Sequence, residues 1–344
     1  MSFGVRGLIE GFYDRLWTWD ERDRVAGFIA DHGFDTYVYA PKDDRLQNGR
    51  WREPYGEAAI AELAAFGDRC RGMGMALWMG LRPVNISYAD DVDAKLVVDK
   101  LRRYLDLGAD RLLLLTDDIP AALDSHAGNR FASLADAHAW LLGVVVDALG
   151  DGPIAFCPTD YFGLGTPYLE TLGRELPSNV AVCWTGRDVC SPSITSGEAD
   201  AIGAVLRRRP LIWDNYPVND ANMKDELHIG PIRGRSADLD AHVAGIIVNP
   251  ALQPEATLIP LATWGKYLRD PWGYEPDGAW ERALLEVAPD VADEMSLLAA
   301  RFYRSVVDQP WRRPPDDAVA GAVARVLAGE NRRLATDLEP FVTP

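Results

Sequence analysis

Short apolar segments alternate with helix-forming segments over most of this chain, and this alternation constrains the fold more than any other feature. It predicts eight strands, at 4–10, 36–39, 75–80, 111–116, 154–157, 180–184, 211–213 and 245–248. It predicts helices after them at 21–30, 57–71, 92–107, 134–149, 168–175, 198–208, 238–243 and 257–269. Repeated strand–helix units give parallel strands with right-handed crossovers, and eight units match the usual size of an α/β fold of the closed (β/α)8 TIM barrel type.

An open, doubly wound sheet is the competing architecture. No Gly-x-Gly-x-x-Gly motif follows the first predicted strand, so the dinucleotide-binding signature is missing. After Pro271 the pattern changes to helices alone, with a helix start at 276–281 and helical patterns at 291–307 and 316–338, separated by the proline-rich 310–315. We therefore predict a catalytic barrel over 1–270 and a helical extension over 271–344. Whether that extension forms a homodimer interface or contacts substrate is left open.

The composition excludes several classes of function. A net charge of −17 argues against nucleic acid or an anionic membrane as the partner, because phosphate groups are bound by clustered Lys and Arg. No apolar stretch is long enough to span a membrane and the N-terminus lacks a signal-peptide pattern, so a cytoplasmic location is the default expectation. The four cysteines and five histidines show no ligand spacing, and we expect neither a metal nor a cofactor.

The fourth predicted strand ends in two adjacent carboxylates, Asp117 and Asp118. The four leucines at 112–115 do not alternate with polar residues, as expected for a strand that is covered on both faces. The active sites of such sheets lie at the carboxyl ends of the strands. Two neighbouring carboxylates repel each other, which favours one ionised group and one proton donor. The alternative reading is that both residues cap a turn before Pro120.

Polar and aromatic side chains recur at six of the other seven predicted strand ends. They occur at 10–13, 40–44, 158–161, 184–186, 213–220 and 249–250. Carboxylates, amides, aromatic rings and one lysine suit a sugar, because aromatic faces cover the apolar side of a pyranose while amides and acids bind its hydroxyls. A phosphorylated ligand would require more cationic side chains. The strand ends together therefore predict a carbohydrate site.

Six segments resemble glycoside hydrolase family 84, in the order in which that family has them. They are GLIEGFY at 7–13, YVYAPKDD at 37–44, LTDDI at 115–119, FCPTDY at 156–161, CWTG at 183–186 and IWDN at 212–215. The family contains protein O-GlcNAcases and bacterial β-N-acetylglucosaminidases, some of them once called hyaluronidases. The similarity covers about residues 4–270. It implies hydrolysis of a terminal β-linked N-acetylglucosamine (GlcNAc) from a glycoside or glycoprotein, without a cofactor.

The resemblance assigns the two acids to different steps. Asp117 would hold the N–H of the 2-acetamido group while the acetamido oxygen attacks the anomeric carbon and forms an oxazoline. Asp118 would protonate the leaving oxygen and then deprotonate water, in a mechanism that needs no protein nucleophile. Asp14 and Leu16 stand where the family usually has Gly and Pro, which leaves the decoration of the outer hydroxyls open. The substrate-binding candidates are Gly11, Tyr13, Lys42, Tyr161, Trp184, Trp213, Asn215, Asp220 and Asn249.

Two functions of other classes remain open at this point. One is a barrel that binds amino sugars without cleaving them, as a sensor or lectin-like module. Paired acids count against it, because a binding protein has little reason to place two acids below a glycosidic oxygen. The other is a divalent-metal hydrolase that uses Asp117, Asp118 and Asp160, which would lose its activity in a chelator.

Overall fold

The eight predicted strands form one closed parallel barrel, with the strands in chain order. The computed structural model describes residues 2–120, 122–150, 154–302 and 316–342. The strands are β1 (Arg6–Glu10), β2 (Thr36–Tyr39), β3 (Ala76–Leu81), β4 (Arg111–Leu115), β5 (Ile154–Cys157), β6 (Ala181–Trp184), β7 (Leu211–Asp214) and β8 (Gly245–Val248). Each strand pairs in parallel with the next, and β8 closes onto β1 with Leu8 opposite Val248. The predicted TIM barrel is confirmed.

Within the described ranges, seven α-helices follow the barrel strands and four more come after them. The first group is α1 (Trp19–Asp31), α2 (Glu57–Gly72), α3 (Val92–Asp106), α4 (Leu134–Leu149), α5 (Pro167–Glu175), α6 (Ser196–Leu206) and α7 (Leu258–Arg269). The second group is α8 (Pro276–Val287), α9 (Ala292–Phe302), α10 (Asp316–Ala328) and α11 (Arg332–Val342). None of these helices is long and apolar enough to cross a lipid bilayer.

Two helix predictions were wrong in detail. The helix expected at 238–243 is a single 3₁₀ turn, Leu239–Ala241. The segment lies between a β-bridge at Arg235 and the start of β8, which leaves room for only a tight turn. The helix expected at 316–338 is divided into α10 and α11, with a break around Gly329. The proline-rich 310–315 and the end of the pattern at 291–307 lie outside the described residues.

The alternation of side chains along each strand creates two apolar layers and points selected residues into the barrel mouth. In β4, Leu113 and Leu115 belong to the cluster inside the barrel, whereas Leu112 and Leu114 pack in the layer between strands and helices. This explains why four consecutive leucines form one strand. Two residues beyond Leu115, Asp117 has the same parity and lies at the mouth of the barrel, where the active sites of this fold occur.

The last helix is anchored to the barrel through a buried carboxylate. Asp337 of α11 accepts hydrogen bonds from the backbone N–H groups of Glu255 and Ala256, at 2.6 and 3.1 Å, just before α7 begins. Burial raises the pKa of Asp337 to about 6. The contact ties the helices after the barrel to the segment that follows β8.

Candidate active site

A cavity of about 350 Å³ opens at the carboxyl ends of the strands, a size within the usual range for small-molecule sites. Ten of the eleven predicted site residues line it. They are Gly11, Tyr13, Lys42, Asp117, Asp118, Tyr161, Trp213, Asn215, Asp220 and Asn249. These residues come from six different strand ends, so the closure of the barrel is what brings them together.

Trp184 is the predicted site residue that does not line the cavity. Its indole is buried in the layer between strands and helices and donates a hydrogen bond to the carbonyl of Gly163 at 2.8 Å. The residues on either side of it, Cys183 and Thr185, point inward, and Thr185 lines the cavity. This position does not fit the substrate contact expected of Trp184, because strand parity turns its ring away from the mouth.

Glu10, at the end of β1, is turned away from the cavity in the same manner. Its carboxylate forms two hydrogen bonds with Arg22 of α1, at 2.8 and 2.7 Å, and accepts another from the hydroxyl of Tyr37 at 3.0 Å. All three side chains are buried. A buried charge persists when it is paired and hydrogen-bonded, and this pair fixes α1 against the barrel rather than serving the site.

Asp117 has one paired and one unpaired carboxylate oxygen. Its Oδ2 accepts a hydrogen bond from the ammonium group of Lys42, and both side chains are almost fully buried. Its Oδ1 is also buried but has no hydrogen-bond partner among the described residues. An unsatisfied buried acceptor is costly, and the charge beside it makes that oxygen a strong acceptor for a donor on a bound ligand.

Asp118 is held by two phenol groups. The hydroxyl of Tyr13 donates to its Oδ2 at 2.7 Å, and the hydroxyl of Tyr161 donates to its Oδ1 at 3.0 Å. Burial, reinforced by the negative charges of Asp117 and Asp118, raises the pKa of both phenols above their ordinary value. Both tyrosines therefore remain protonated and continue to donate to Asp118.

The backbone at Asp118 is unusual, and Arg82 fixes it. Asp118 has a φ of 53°, which is a left-handed conformation. In a regular strand the side chain at this position would point outward, and the left-handed conformation turns it toward the mouth instead. The guanidinium group of Arg82 donates to the carbonyl of Asp117 at 3.1 Å and to that of Asp118 at 3.0 Å. Its rigid fork of donors therefore spans both peptide groups of the acidic pair.

Sequence reasoning missed Arg82. It directly follows β3, the strand whose end supplied no predicted site residue. The pair Arg82–Pro83 resembles an ordinary turn. One signal was available, because this basic residue follows the strand that neighbours β4, and β4 ends in the two acidic residues.

A chain of amide hydrogen bonds organises the side of the cavity formed by β7 and β8. Asn215 Oδ1 accepts from the indole N–H of Trp213 at 2.9 Å and from Asn249 Nδ2 at 3.0 Å. Asn249 Oδ1 in turn accepts from the backbone N–H of Gly11 at 3.2 Å. A Cβ at Gly11 would lie 2.5 Å from the ring of Trp213, so this position needs a glycine. The network presents oriented amides to a polar ligand.

The structure gives Asp160 a different role from that in the metal hypothesis. Asp160 accepts a hydrogen bond from the hydroxyl of Thr166, the N-cap of α5, at 2.8 Å, and does not line the cavity. Within the part of the chain that the structure describes, no three His, Cys, Asp or Glu side chains are grouped as metal ligands would be.

Comparisons with known proteins agree with this arrangement. A family model described as beta-N-acetylglucosaminidase matches residues 6–300. The protein O-GlcNAcases of Rattus norvegicus and Mus musculus are each 30% identical over 272 residues. That alignment covers 76% of this chain but only 30% of those proteins, so the chain corresponds to less than a third of their length.

Two solved structures are similar over 98% of this chain. An O-GlcNAc hydrolase mutant from Thermobaculum terrenum superposes with a TM-score of 0.88 at 31% identity, over 74% of that chain. The protein CpGH84B superposes with a TM-score of 0.83 over 66% of its chain, and at 22% identity it supports the fold alone.

Proposed function

This chain belongs to the β-N-acetylglucosaminidase family, and from that premise we propose that it removes terminal β-linked GlcNAc from a glycoside or glycoprotein. The proposed reaction is a hydrolysis that retains the anomeric configuration. The acetamido group of the substrate attacks the anomeric carbon and forms an oxazoline, which water then opens. Two inversions at the same carbon give net retention.

The observation that carries this proposal is the buried Oδ1 of Asp117, which accepts no hydrogen bond from any residue that the structure describes. An acetamido N–H is a donor of the kind that this oxygen lacks. Lys42 holds the other oxygen, so the carboxylate is oriented before the substrate binds. The negative charge of Asp117 would stabilise the positive charge that develops on the acetamido group as its oxygen attacks. Trp213 and Tyr161, which also line the cavity, would enclose that group.

In the proposed reaction Asp118 acts as the general acid and then as the general base. A proton on its carboxyl group would pass to the glycosidic oxygen as the C–O bond breaks. The carboxylate would then take a proton from the water that attacks the oxazoline, which returns Asp118 to its starting state. Tyr13 and Tyr161 keep the group in one orientation during both steps. Adjacent acids suit this chemistry because both act on one sugar.

The stereochemical course tests the proposed function. We expect the chain to hydrolyse 4-nitrophenyl β-GlcNAc and to release β-GlcNAc first, as observed by ¹H NMR during the first turnovers. The rate should be the same after exhaustive treatment with EDTA. Initial release of the α anomer would contradict the proposal, and loss of activity in EDTA that zinc or magnesium restores would favour the metal hydrolase.

Two measurements on the same preparation distinguish a hydrolase from a barrel that only binds sugars. Titration calorimetry with GlcNAc and an overnight turnover assay should both give a signal. Binding of GlcNAc together with no release of nitrophenol would favour the sensor or lectin-like module instead.

Arg82 provides a prediction about the geometry of the acidic pair. Arg82→Ala should lower kcat by about tenfold or more. The variant loses two charged hydrogen bonds to the peptide groups of Asp117 and Asp118, so the two carboxyl groups are no longer fixed in their positions. KM should change less than kcat, because Arg82 does not line the cavity. Steady-state kinetics on 4-nitrophenyl β-GlcNAc measures both.

Two further variants complete the Arg82 test. Arg82→Lys should recover part of kcat, since an ammonium group can still reach one of the two carbonyls. Arg45→Ala removes an exposed arginine after β2 and serves as the matched control. A rise in KM with kcat unchanged in Arg82→Ala would contradict a positioning role.

A further inference from the structure

Two acidic residues join the loop after β1 to the loop after β7 at the rim of the cavity. The backbone N–H of Tyr13 donates to Asp220 Oδ2 at 2.8 Å, and the backbone N–H of Ala221 donates to Asp14 Oδ2 at 3.0 Å. Each loop thus supplies a carboxylate that accepts an N–H group from the other loop. We call this reciprocal pair of hydrogen bonds, formed by Tyr13, Asp14, Asp220 and Ala221, the clasp.

The backbone of the clasp adopts a conformation that costs free energy. Asp14 has a φ of 70° and Ala221 a φ of 50°, both in the left-handed region that residues other than glycine seldom occupy. Such conformations persist where surrounding contacts determine them, and they concentrate at functional sites. An aspartate tolerates this region because its short side chain can form local hydrogen bonds. The strain and the hydrogen bonds together fix the position of the Asp14 carboxylate.

The clasp also concentrates negative charge. Besides the larger effect of burial, the charge of Asp14 raises the pKa of Asp220 on one side and that of Asp43 on the other. Within the described ranges, none of these three carboxylates has a basic side chain at ion-pair distance. Lys42, whose charge acts on Asp220 in the opposite direction, is already paired with Asp117. Asp14 and Asp43 therefore add negative charge at the rim that no ion pair among the described residues neutralises.

We propose that Asp14 is a specificity-determining residue, whose carboxylate disfavours an anionic substituent on the bound sugar and favours a cationic one. The inference rests on the proposed function, because it takes Asp220, which lines the cavity, as the residue that binds the outer hydroxyls of the sugar. Asp14 is exposed and does not itself line the cavity, but the clasp holds its carboxylate against Ala221, which follows Asp220 in the cavity lining. The substrate class that fits this rim is GlcNAc with an unsubstituted or amine-bearing 6-position, rather than an acidic derivative.

Three glycosides that differ in charge but little in size test the proposal. They are 4-nitrophenyl β-GlcNAc, its 6-amino-6-deoxy analogue, which is cationic near pH 7, and its 6-carboxylate analogue, which is anionic. The readout is the ratio of kcat/KM for the cationic glycoside to that for the anionic one. A general change in activity alters both values of kcat/KM equally and therefore leaves this ratio unchanged. Asp14→Asn, which retains a side-chain oxygen to accept from Ala221, should lower the ratio by about tenfold or more.

Salt and a second variant provide independent readouts. The preference of the wild type for the cationic glycoside should shrink in 1 M NaCl, because salt screens charges near the surface. Asp14→Gly suits the positive φ of this position and should lower the ratio as Asp14→Asn does. Asp99→Asn, which removes an exposed carboxylate on α3, should leave the ratio unchanged and controls for the overall charge.

The outcomes distinguish this inference from the proposed function. Ratios within twofold of the wild-type value in both Asp14 variants would overturn the role of Asp14, even if GlcNAc hydrolysis is normal. No turnover of the uncharged glycoside by the wild type would overturn the proposed function and this inference together. If a charged glycoside reacts too slowly to assay, both charged glycosides are measured as inhibitors of the uncharged one. The reciprocal of each inhibition constant then replaces kcat/KM, and the ratio of the reciprocals is expected to change in the same direction.

Discussion

Asp118→Asn is expected to lower kcat/KM on aryl β-GlcNAc substrates by about 10²- to 10⁴-fold, the usual contribution of general acid–base catalysis. The loss should depend on the leaving group. It should be largest for phenols of high pKa, which need a proton to depart, and smallest for 2,4-dinitrophenol, which leaves readily as an anion. The measurement is kcat/KM for wild type and variant over a series of aryl glycosides.

Azide should restore turnover to this variant and to no other. On a substrate with a good leaving group, the oxazoline forms without an acid, and its opening by water then lacks a base. Azide attacks without losing a proton, so it should raise the rate of Asp118→Asn and yield the β-glycosyl azide. An equal loss for all leaving groups, with no azide product, would contradict the assignment of Asp118.

Asp117→Asn is expected to lower kcat/KM by about 10²- to 10³-fold, the cost typical of removing one preorganised electrostatic contact to a transition state. An amide has no charge with which to stabilise the forming oxazolinium ion, although it has nearly the same shape. The loss should be similar for good and poor leaving groups, and azide should not restore activity. The same aryl series, assayed with and without azide, tests these expectations.

Two controls isolate the effect at Asp117. Asp160→Asn makes the same substitution at the same end of the barrel but outside the cavity, and it should retain activity. Because Lys42 is buried against Asp117, the unfolding temperature of Asp117→Asn must be recorded, so that activity is compared at a temperature where it is folded. Full turnover by folded Asp117→Asn, or inactivity of Asp160→Asn, would contradict the account.

The barrel and most of its mouth could be predicted because they follow from local pattern. The unbroken leucines of β4 required a strand covered on both faces, and the parallel barrel supplies an inner and an outer layer for them. Once eight parallel strands are predicted, their carboxyl ends must meet at one edge. Asp117, Lys42 and Asn249 could therefore be placed together although they are distant in sequence.

The predictions from sequence differ from the structure where local pattern does not determine which way a side chain points. Trp184 ends a strand but faces outward, since one residue of register decides the face. The conformation at Asp118 depends on Arg82, from the neighbouring strand, and this pairing has no sequence signature. The clasp joins residues 207 positions apart, and nothing local to Asp14 indicates that its partner is Ala221.

Fluorination of the substrate's acetyl group tests the central claim most directly. Fluorine withdraws electrons from the acetamido oxygen and weakens it as a nucleophile, without changing the protein. For wild-type enzyme and the N-acetyl, monofluoro-, difluoro- and trifluoroacetyl glucosaminides of 4-methylumbelliferone, we predict that log(kcat/KM) falls with each added fluorine. The expected total is on the order of 100-fold, or about 2.7 kcal/mol in activation free energy. The same kcat/KM for all four substrates would show that the attacking group belongs to the protein and would contradict the account.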